Sequence, residues 1–538
     1  MATPHPTKEG FTYSPAAGLK RGVVTEGAIR PLQSLSAKAD SKPFDVIVIG
    51  AGYTGLSAAR DLTLAGRSVL LLDARDRIGG RTWTSQIDGE KFEMGGVSFP
   101  RDIRYSLLAR VARTASDVTA LPQTWIHWSM GYVWREIQRY GLDQRLSITP
   151  NELFPDFSFN KTNFNGQVIQ EPFKANFQMC EDAFRRFCDV DGHNGATVIP
   201  IATQVVKGVL VNEELVKKYD QYSIADRIAE VRAKNICSER ELAFLIPWFV
   251  LSWGARPEDA SLLELIKWAR HGENSFSFLA QILWCYRLTD GQSHLARNIF
   301  EEARRTERLC WSFETIVSSV TDRHGSVEVQ TSKGTYKALK VVSTLPQNVA
   351  SKVRFDPPLS ALRQEAFSIK HVGQGHKIHS IFNRPELRSG VWNAWHETND
   401  PPYELAAAFG DHTLRDGRVS VVAFGGGNSA KNLPSQDPTK IRRWLKDVDP
   451  IFSEAYEGSV WHEWIDDPYA QGHWNMHPPN YYTRFHLELQ KPHGNVEFAS
   501  ADWADGWKSF IDGAIEQGTK AAYRINQELQ QRPRSSRL

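Results

Sequence analysis

Three glycines, Gly50, Gly52 and Gly55, stand in the spacing G-x-G-x-x-G. Such a spacing can receive a pyrophosphate. One glycine makes the tight turn, one lets the backbone approach the phosphates, and one packs helix on strand. That chemistry needs a strand before the glycines and a helix after them. The apolar run 46–49 has strand character, 54–65 reads as a helix closed by Gly66, and the apolar run 69–72 reads as a second strand ending in Asp73. The helix start at Tyr53 and Thr54 then faces the phosphates. Asp73, roughly 20 residues beyond Gly50, suits a ribose hydroxyl. Strand, helix, strand and acid together predict a dinucleotide site.

The residues after the acid choose among dinucleotides. Ala74 leads into Arg75, Gly79, Gly80 and Arg81, which form R-x-x-x-G-G-R. This run resembles that of the flavin-containing amine oxidases, where it passes under the FAD pyrophosphate towards the flavin. A second string, 498–522, carries Asp502, Trp503, Phe510 and Ile511. It resembles the closing motif of the monoamine oxidases, most of all the fungal monoamine oxidase N type. The resemblance covers nearly the whole chain. It implies that Asp502 serves the ribityl-phosphate region, that Ile511 contacts the cofactor, and that Val317 makes a backbone contact to adenine.

The same resemblance places the chemistry on three residues. Trp474 and Phe510 would form the two walls of an aromatic cage in front of the flavin, and Phe510 counts as a cofactor contact too. Lys377 would hold a water against flavin N5. Taken by themselves, these could be an ordinary solvated lysine and core aromatics. Mammalian monoamine oxidases tether their flavin through a cysteine before the cage aromatic. Here that position is His473, so FAD is expected to be noncovalent. The implied reaction is oxidative deamination of a small-molecule amine by O2, giving aldehyde, ammonia and hydrogen peroxide. Trp248, Trp253, Trp268 and Phe276 are candidates for the substrate entrance, and equally for core.

One departure lies beside the flavin. The family motif runs Met-Gly-Gly-Thr-Trp, whereas here Met94, Gly95 and Gly96 are parted from Thr124 and Trp125 by the segment 97–123. Removing that segment restores the motif and keeps Gly95, Gly96, Thr124 and Trp125 as flavin contacts. The segment opens with Val97-Ser98, which can be encoded as a 5′ splice signal, and closes with Gln123, which can be encoded as a 3′ splice signal. Its length is a multiple of three bases. It reads as a translated retained intron, with a genuine long loop as the rival.

These residues must be positioned by a large fold. The chain has 538 residues, 41% of them hydrophobic, enough for two or three lobes. The expected class is α/β, or α+β at the level of two domains: a Rossmann-like FAD-binding domain with an inserted substrate domain of mixed sheet and helices. The FAD domain is discontinuous, combining 44–125, 285–350 and 460–530, and the substrate domain takes 126–284 and 351–459. Residues 1–43, rich in Pro, Gly, Ser and Lys, read as a wrapped or mobile arm, and 531–538 as a tail. A net charge of +2 calls for no nucleic-acid partner. Five scattered cysteines without C-x-x-C suggest neither a disulfide framework nor a metal site. No apolar run is long enough for a membrane anchor. The final Ser536-Arg537-Leu538 resembles a peroxisomal address, read by an import receptor; without it the protein would be cytoplasmic. The resemblance allows a homodimer or homotetramer. Three functions stay open: an active amine oxidase, an L-amino-acid or polyamine oxidase of the same fold, and a flavin fold silenced by the inserted segment.

Overall fold

A computed structural model describes residues 3–35, 43–95, 126–148, 157–199, 212–284, 286–323, 325–398, 403–426 and 432–531. Gly96, the segment 97–123, Thr124, Trp125 and the terminal Ser536-Arg537-Leu538 lie outside the described residues.

Two sheets organise the molecule. The first has eight strands in the order Leu309–Ser312, Val69–Leu72, Phe44–Ile49, Gly334–Ser343, Ser326–Thr331, Val317–Arg323 and Arg354–Asp356, with Val496–Phe498 pairing the far end of Gly334–Ser343. Leu309–Ser312, Val69–Leu72, Phe44–Ile49, Gly334–Ser343 and Val496–Phe498 pair in parallel. Both faces of this parallel part are covered, so Val46, Ile47, Val48 and the whole run Val69–Leu72 are buried. This explains why these strands read as continuous apolar runs and not as alternating ones. The helix Tyr53–Leu64 follows the first strand and packs against the helices Ile511–Gln531 and Gln292–Arg305. It is buried along ten of its twelve positions, with Gly55, Ala58, Ala59 and Leu62 allowing close packing and buried Arg60 paired with Glu136.

The second sheet has eleven strands and runs from Glu90–Glu93 through Thr84–Ile87, Gly18–Thr25, His5–Ser14, Tyr456–Trp461, Lys377–Phe382, Val419–Phe424, Ala407–Thr413 and Gly390–Trp395 to Phe159–Phe164 and Gln167–Pro172. The N-terminal residues expected as an arm supply a hairpin to it. His5–Ser14 pairs Gly18–Thr25 on one side and Tyr456–Trp461 on the other. Composition hid this because much of the hairpin lies at the surface, with few buried positions to give an apolar rhythm. Of the helices between Phe173 and Trp284, Phe173–Cys188 and Glu239–Trp253 pack on this sheet. Two helices of that region, Ile224–Ala233 and Glu239–Trp253, begin with complete capping boxes, Ser223 with Asp226 and Ser238 with Glu241. Among the described residues no helix is long and apolar enough to cross a membrane, and the four described cysteines are free.

Candidate active site

A cavity of about 470 Å3 lies where the two sheets meet. At one end it is lined by Gly50, Gly52, Tyr53, Thr54, Asp73, Ala74, Arg75 and Val317, then by Gly80, Arg81 and Gly95, and at the other by Lys377, His473, Trp474, Phe510 and Ile511. Residues more than 400 positions apart in sequence therefore share one space.

The glycine end fits a dinucleotide. Gly50 has φ +105°, and a Cβ at Gly55 would stand 1.8 Å from the Gly50 carbonyl oxygen. Only glycine serves at either place. The helix Tyr53–Leu64 starts without a side-chain cap and without an acid in its first turn, which leaves its N–H groups and positive end for phosphate. The Asp73 carboxylate accepts from Ala51 N at 2.6 Å and Arg75 N at 2.8 Å. Burial pushes its pKa up, against those two N–H groups. Its remaining lone pairs suit ribose hydroxyls.

Arg75 and Arg81 line the cavity with their charge already balanced. Arg75 makes two 2.8 Å bonds to Asp467 and a short contact to Glu9. Glu9, His462 and Asp467 offer ligand atoms within 4.8 Å of one another, but Arg75 and Arg77 supply the positive charge that a metal would bring. Arg81 donates to the His473 carbonyl at 3.0 Å and to Asp502 at 2.5 Å. Asp502 is fully buried and does not line the cavity. Burial would raise its pKa, but Arg81, His371 and the Gln347 N–H hold it below the ordinary value. It reaches the cavity through Arg81. Gly55 likewise stands behind the lining.

At the other end Trp474 donates its ring N–H to the Ser252 carbonyl at 2.7 Å. That carbonyl lies in the last turn of Glu239–Trp253, where helix carbonyls have no partner of their own. Its neighbour His473 stacks on it at 3.7 Å and accepts from the Trp474 N–H through Nδ1 at 2.7 Å. The His473 ring fits because Gly254 and Gly375 leave no Cβ in its way. Burial pushes its pKa down to about 3, so it is neutral. Phe510 is 5.2 Å from Trp268 and 5.3 Å from Trp507, ring to ring. Lys377 begins the strand Lys377–Phe382 and donates to the Glu93 carbonyl at 2.6 Å. Burial pushes it down to about 8, partly offset by Glu93 and Asp411.

The segments carrying Trp474 and Phe510 are tied together. Lys508 donates to Asn475 at 3.0 Å and pairs with buried Glu264, and the Ser509 hydroxyl donates to the Asn475 carbonyl. No local pattern in the sequence points to Glu264 or Asn475, because their partner Lys508 is remote in the chain. His379 is different. It lies two residues beyond Lys377 on one strand face, and a period-two reading from Lys377 would have found it. Trp248, Trp253, Trp268 and Phe276 are all buried and none lines the cavity. They are core, with Trp268 backing Phe510, because an apolar helix such as Glu239–Trp253 buries every side.

The comparisons agree with this geometry. The profile of the family described as flavin containing amine oxidoreductase matches residues 53–120 and 121–526. The chain belongs to that family and binds FAD; it is an amine oxidoreductase. It is 27% identical to pseudooxynicotine dehydrogenase of Pseudomonas sp over 92% of this chain and 88% of that one. It is 25% identical to putrescine oxidase of Kocuria rosea over 89% of this chain and 95% of that one. Its fold matches that of cyclohexylamine oxidase from Brevibacterium oxydans with a TM-score of 0.67 at 19% identity, covering 91% of this chain and 100% of the other.

Proposed function

We propose that the protein oxidises a small aliphatic or benzylamine-like monoamine with O2 to an imine and hydrogen peroxide, and that water hydrolyses the imine to aldehyde and ammonia. The observation that carries this is the single cavity in which Trp474, Phe510 and Lys377 meet the glycine-lined dinucleotide end. When bound, FAD would supply the electron chemistry, taking two electrons with the hydrogen of the amine's α-carbon and passing both electrons to O2. The protein's residues bind and orient. Trp474 and Phe510 steer a neutral amine and keep bulk water away. Burial of the site favours the neutral amine over ammonium. Lys377 is the group assigned to hold a water at the reacting edge of the ring.

Charge in the cavity supports a monoamine. Among the described lining residues the only carboxylate is Asp73, which belongs to the nucleotide end and already accepts from Ala51 and Arg75. A second ammonium, as in a diamine, finds no counter-charge there. The guanidiniums of Arg75 and Arg81 are paired with Asp467 and Asp502, so an amino-acid carboxylate gains no unpaired arginine.

A peroxide-coupled screen of the FAD-loaded protein tests the reading. Primary monoamines should turn over faster than diamines and L-amino acids. Faster oxidation of either competitor class would reassign the substrate. Flavin bleaching by amines without oxygen, and no peroxide with it, would make the protein a dehydrogenase, the activity in some relatives' names. We further propose that Ser536-Arg537-Leu538 directs the protein to the peroxisome and that 97–123 is absent from the spliced product. The Met-Gly-Gly-Thr-Trp motif that its removal restores supports the second reading.

A further inference from the structure

The arginines at the nucleotide end of the cavity are matched by carboxylates before any cofactor arrives. Arg75 and Arg77 face Glu9 and Asp467. Arg81 faces Asp502. Asp73 adds a further carboxyl group to the lining. A pyrophosphate brings one more negative charge on each phosphate. The uncapped start of Tyr53–Leu64 supplies the equivalent of about half a positive charge. Most of the pyrophosphate charge is left without a partner in this set.

Lys352 is the remaining cation of this end. It lines the cavity and is exposed. Its Nζ donates to the Pro468 carbonyl at 3.0 Å, and among the described residues it pairs with no carboxylate. An ammonium has three N–H groups, so two stay available. The position of Lys352 follows from the first sheet. The strand Gly334–Ser343 leads into Thr344, whose hydroxyl donates to the Ile49 carbonyl at 2.8 Å, beside Gly50. The chain then turns through the short helix Gln347–Ala350, and Lys352 N returns to the Val349 carbonyl at 3.0 Å.

This turn is tied to the stretch 467–471 at a second point, where Asn348 Nδ2 donates to the Gln471 carbonyl at 2.7 Å. That stretch is itself anchored to the cavity lining. Asp467, the partner of Arg75, accepts from Tyr469 N at 2.7 Å, and the Arg75 guanidinium lies 5.4 Å from the Tyr469 ring. Lys352 and Pro468 are exposed, Tyr469 is half-buried, and all three line the cavity. They form a rim where the nucleotide end meets solvent.

We propose that Lys352 is the counter-ion of the FAD pyrophosphate, held at the rim of the cavity by the Pro468 carbonyl. A compact, strongly hydrated ammonium suits a solvent-facing rim and acts on phosphate as a point charge. Because the rim is wet, salt screens its contribution. Lys352 is then a positioning residue of the cofactor and takes no part in the oxidation. The inference needs FAD binding alone and is independent of which amine is oxidised.

The experiment measures the FAD dissociation constant from the fluorescence of flavin released on dilution of the FAD-loaded protein. Wild type, Lys352→Met and Lys352→Arg are compared at ionic strengths of about 0.05 M and about 0.5 M. The chain with Gly96 joined to Thr124 serves if the full chain takes up too little flavin. At low salt Lys352→Met should hold FAD roughly tenfold more weakly than wild type, and Lys352→Arg should restore most of the loss. High salt should weaken the wild type and narrow its gap to Lys352→Met. Equal affinity in wild type and Lys352→Met overturns the proposal. So does a loss in Lys352→Met that salt leaves unchanged or that Lys352→Arg shares, because the side chain would then act as a spacer of the rim and not as a charge.

Discussion

Trp474 and Phe510 illustrate how much a side chain depends on what holds it. Trp474 is held by its ring N–H on a helix-end carbonyl, by its backbone N–H on His473 Nδ1 and by stacking on His473. Phe510 follows Ser509, whose φ of +73° is unusual for a serine. The Ser509 hydroxyl bond to the Asn475 carbonyl and the Lys508 bond to Asn475 hold that turn in place. Replacing either wall by alanine removes positioning and leaves the dinucleotide end untouched. Trp474→Ala and Phe510→Ala should therefore retain FAD and lose about tenfold or more in kcat/KM for amines. Steady-state kinetics beside the flavin absorbance ratio checks this. Unchanged kinetics in both would move the amine elsewhere.

At the scale of elements, the sequence was legible where a motif is local. The strand, turn and helix around Gly50, Gly52 and Gly55 fall where period and spacing put them, because one phosphate-binding turn needs only contiguous residues. The hairpin His5–Ser14 with Gly18–Thr25 was not legible, since its pairing with Tyr456–Trp461 is decided by residues far along the chain. The segment 97–123 lies in sequence between two anchored stretches. Before it, the Met94 carbonyl accepts from Trp464 Nε1 at 2.8 Å. After it, Asp512 accepts from Tyr132 N at 2.7 Å and Val133 N at 2.8 Å, and Glu136 pairs with the buried Arg60 of the phosphate-facing helix. Ordering a 27-residue loop between such ends costs conformational entropy that the shorter join avoids. A chain with Gly96 joined directly to Thr124 should bind FAD more fully and oxidise amines faster than the full-length chain. Flavin content of both proteins, with sequencing of the mature messenger, tests this. Full loading of the long form from a message that keeps the segment would make it a genuine loop.

For the molecule as a whole, address and catalysis are separable. Ser536-Arg537-Leu538 follows the last described helix, Ile511–Gln531, and none of the site contacts named above uses it. A tagged protein lacking the three residues should shift from peroxisomes to cytosol at unchanged specific activity; identical distribution of both forms would make the tripeptide accidental. The first sheet has a different consequence. Its inner strands are Phe44–Ile49 from the start of the chain, Gly334–Ser343 from the middle and Val496–Phe498 from near the end. The helix that packs on Tyr53–Leu64 is made later still. A nascent chain still on the ribosome holds the phosphate-binding glycines but lacks the strand and helix that complete their surroundings. Cofactor loading is therefore expected only after Val496–Phe498 and Ile511–Gln531 have been made, slow to reach because its contacts span the chain, and a fragment left by interrupted synthesis should stay without flavin.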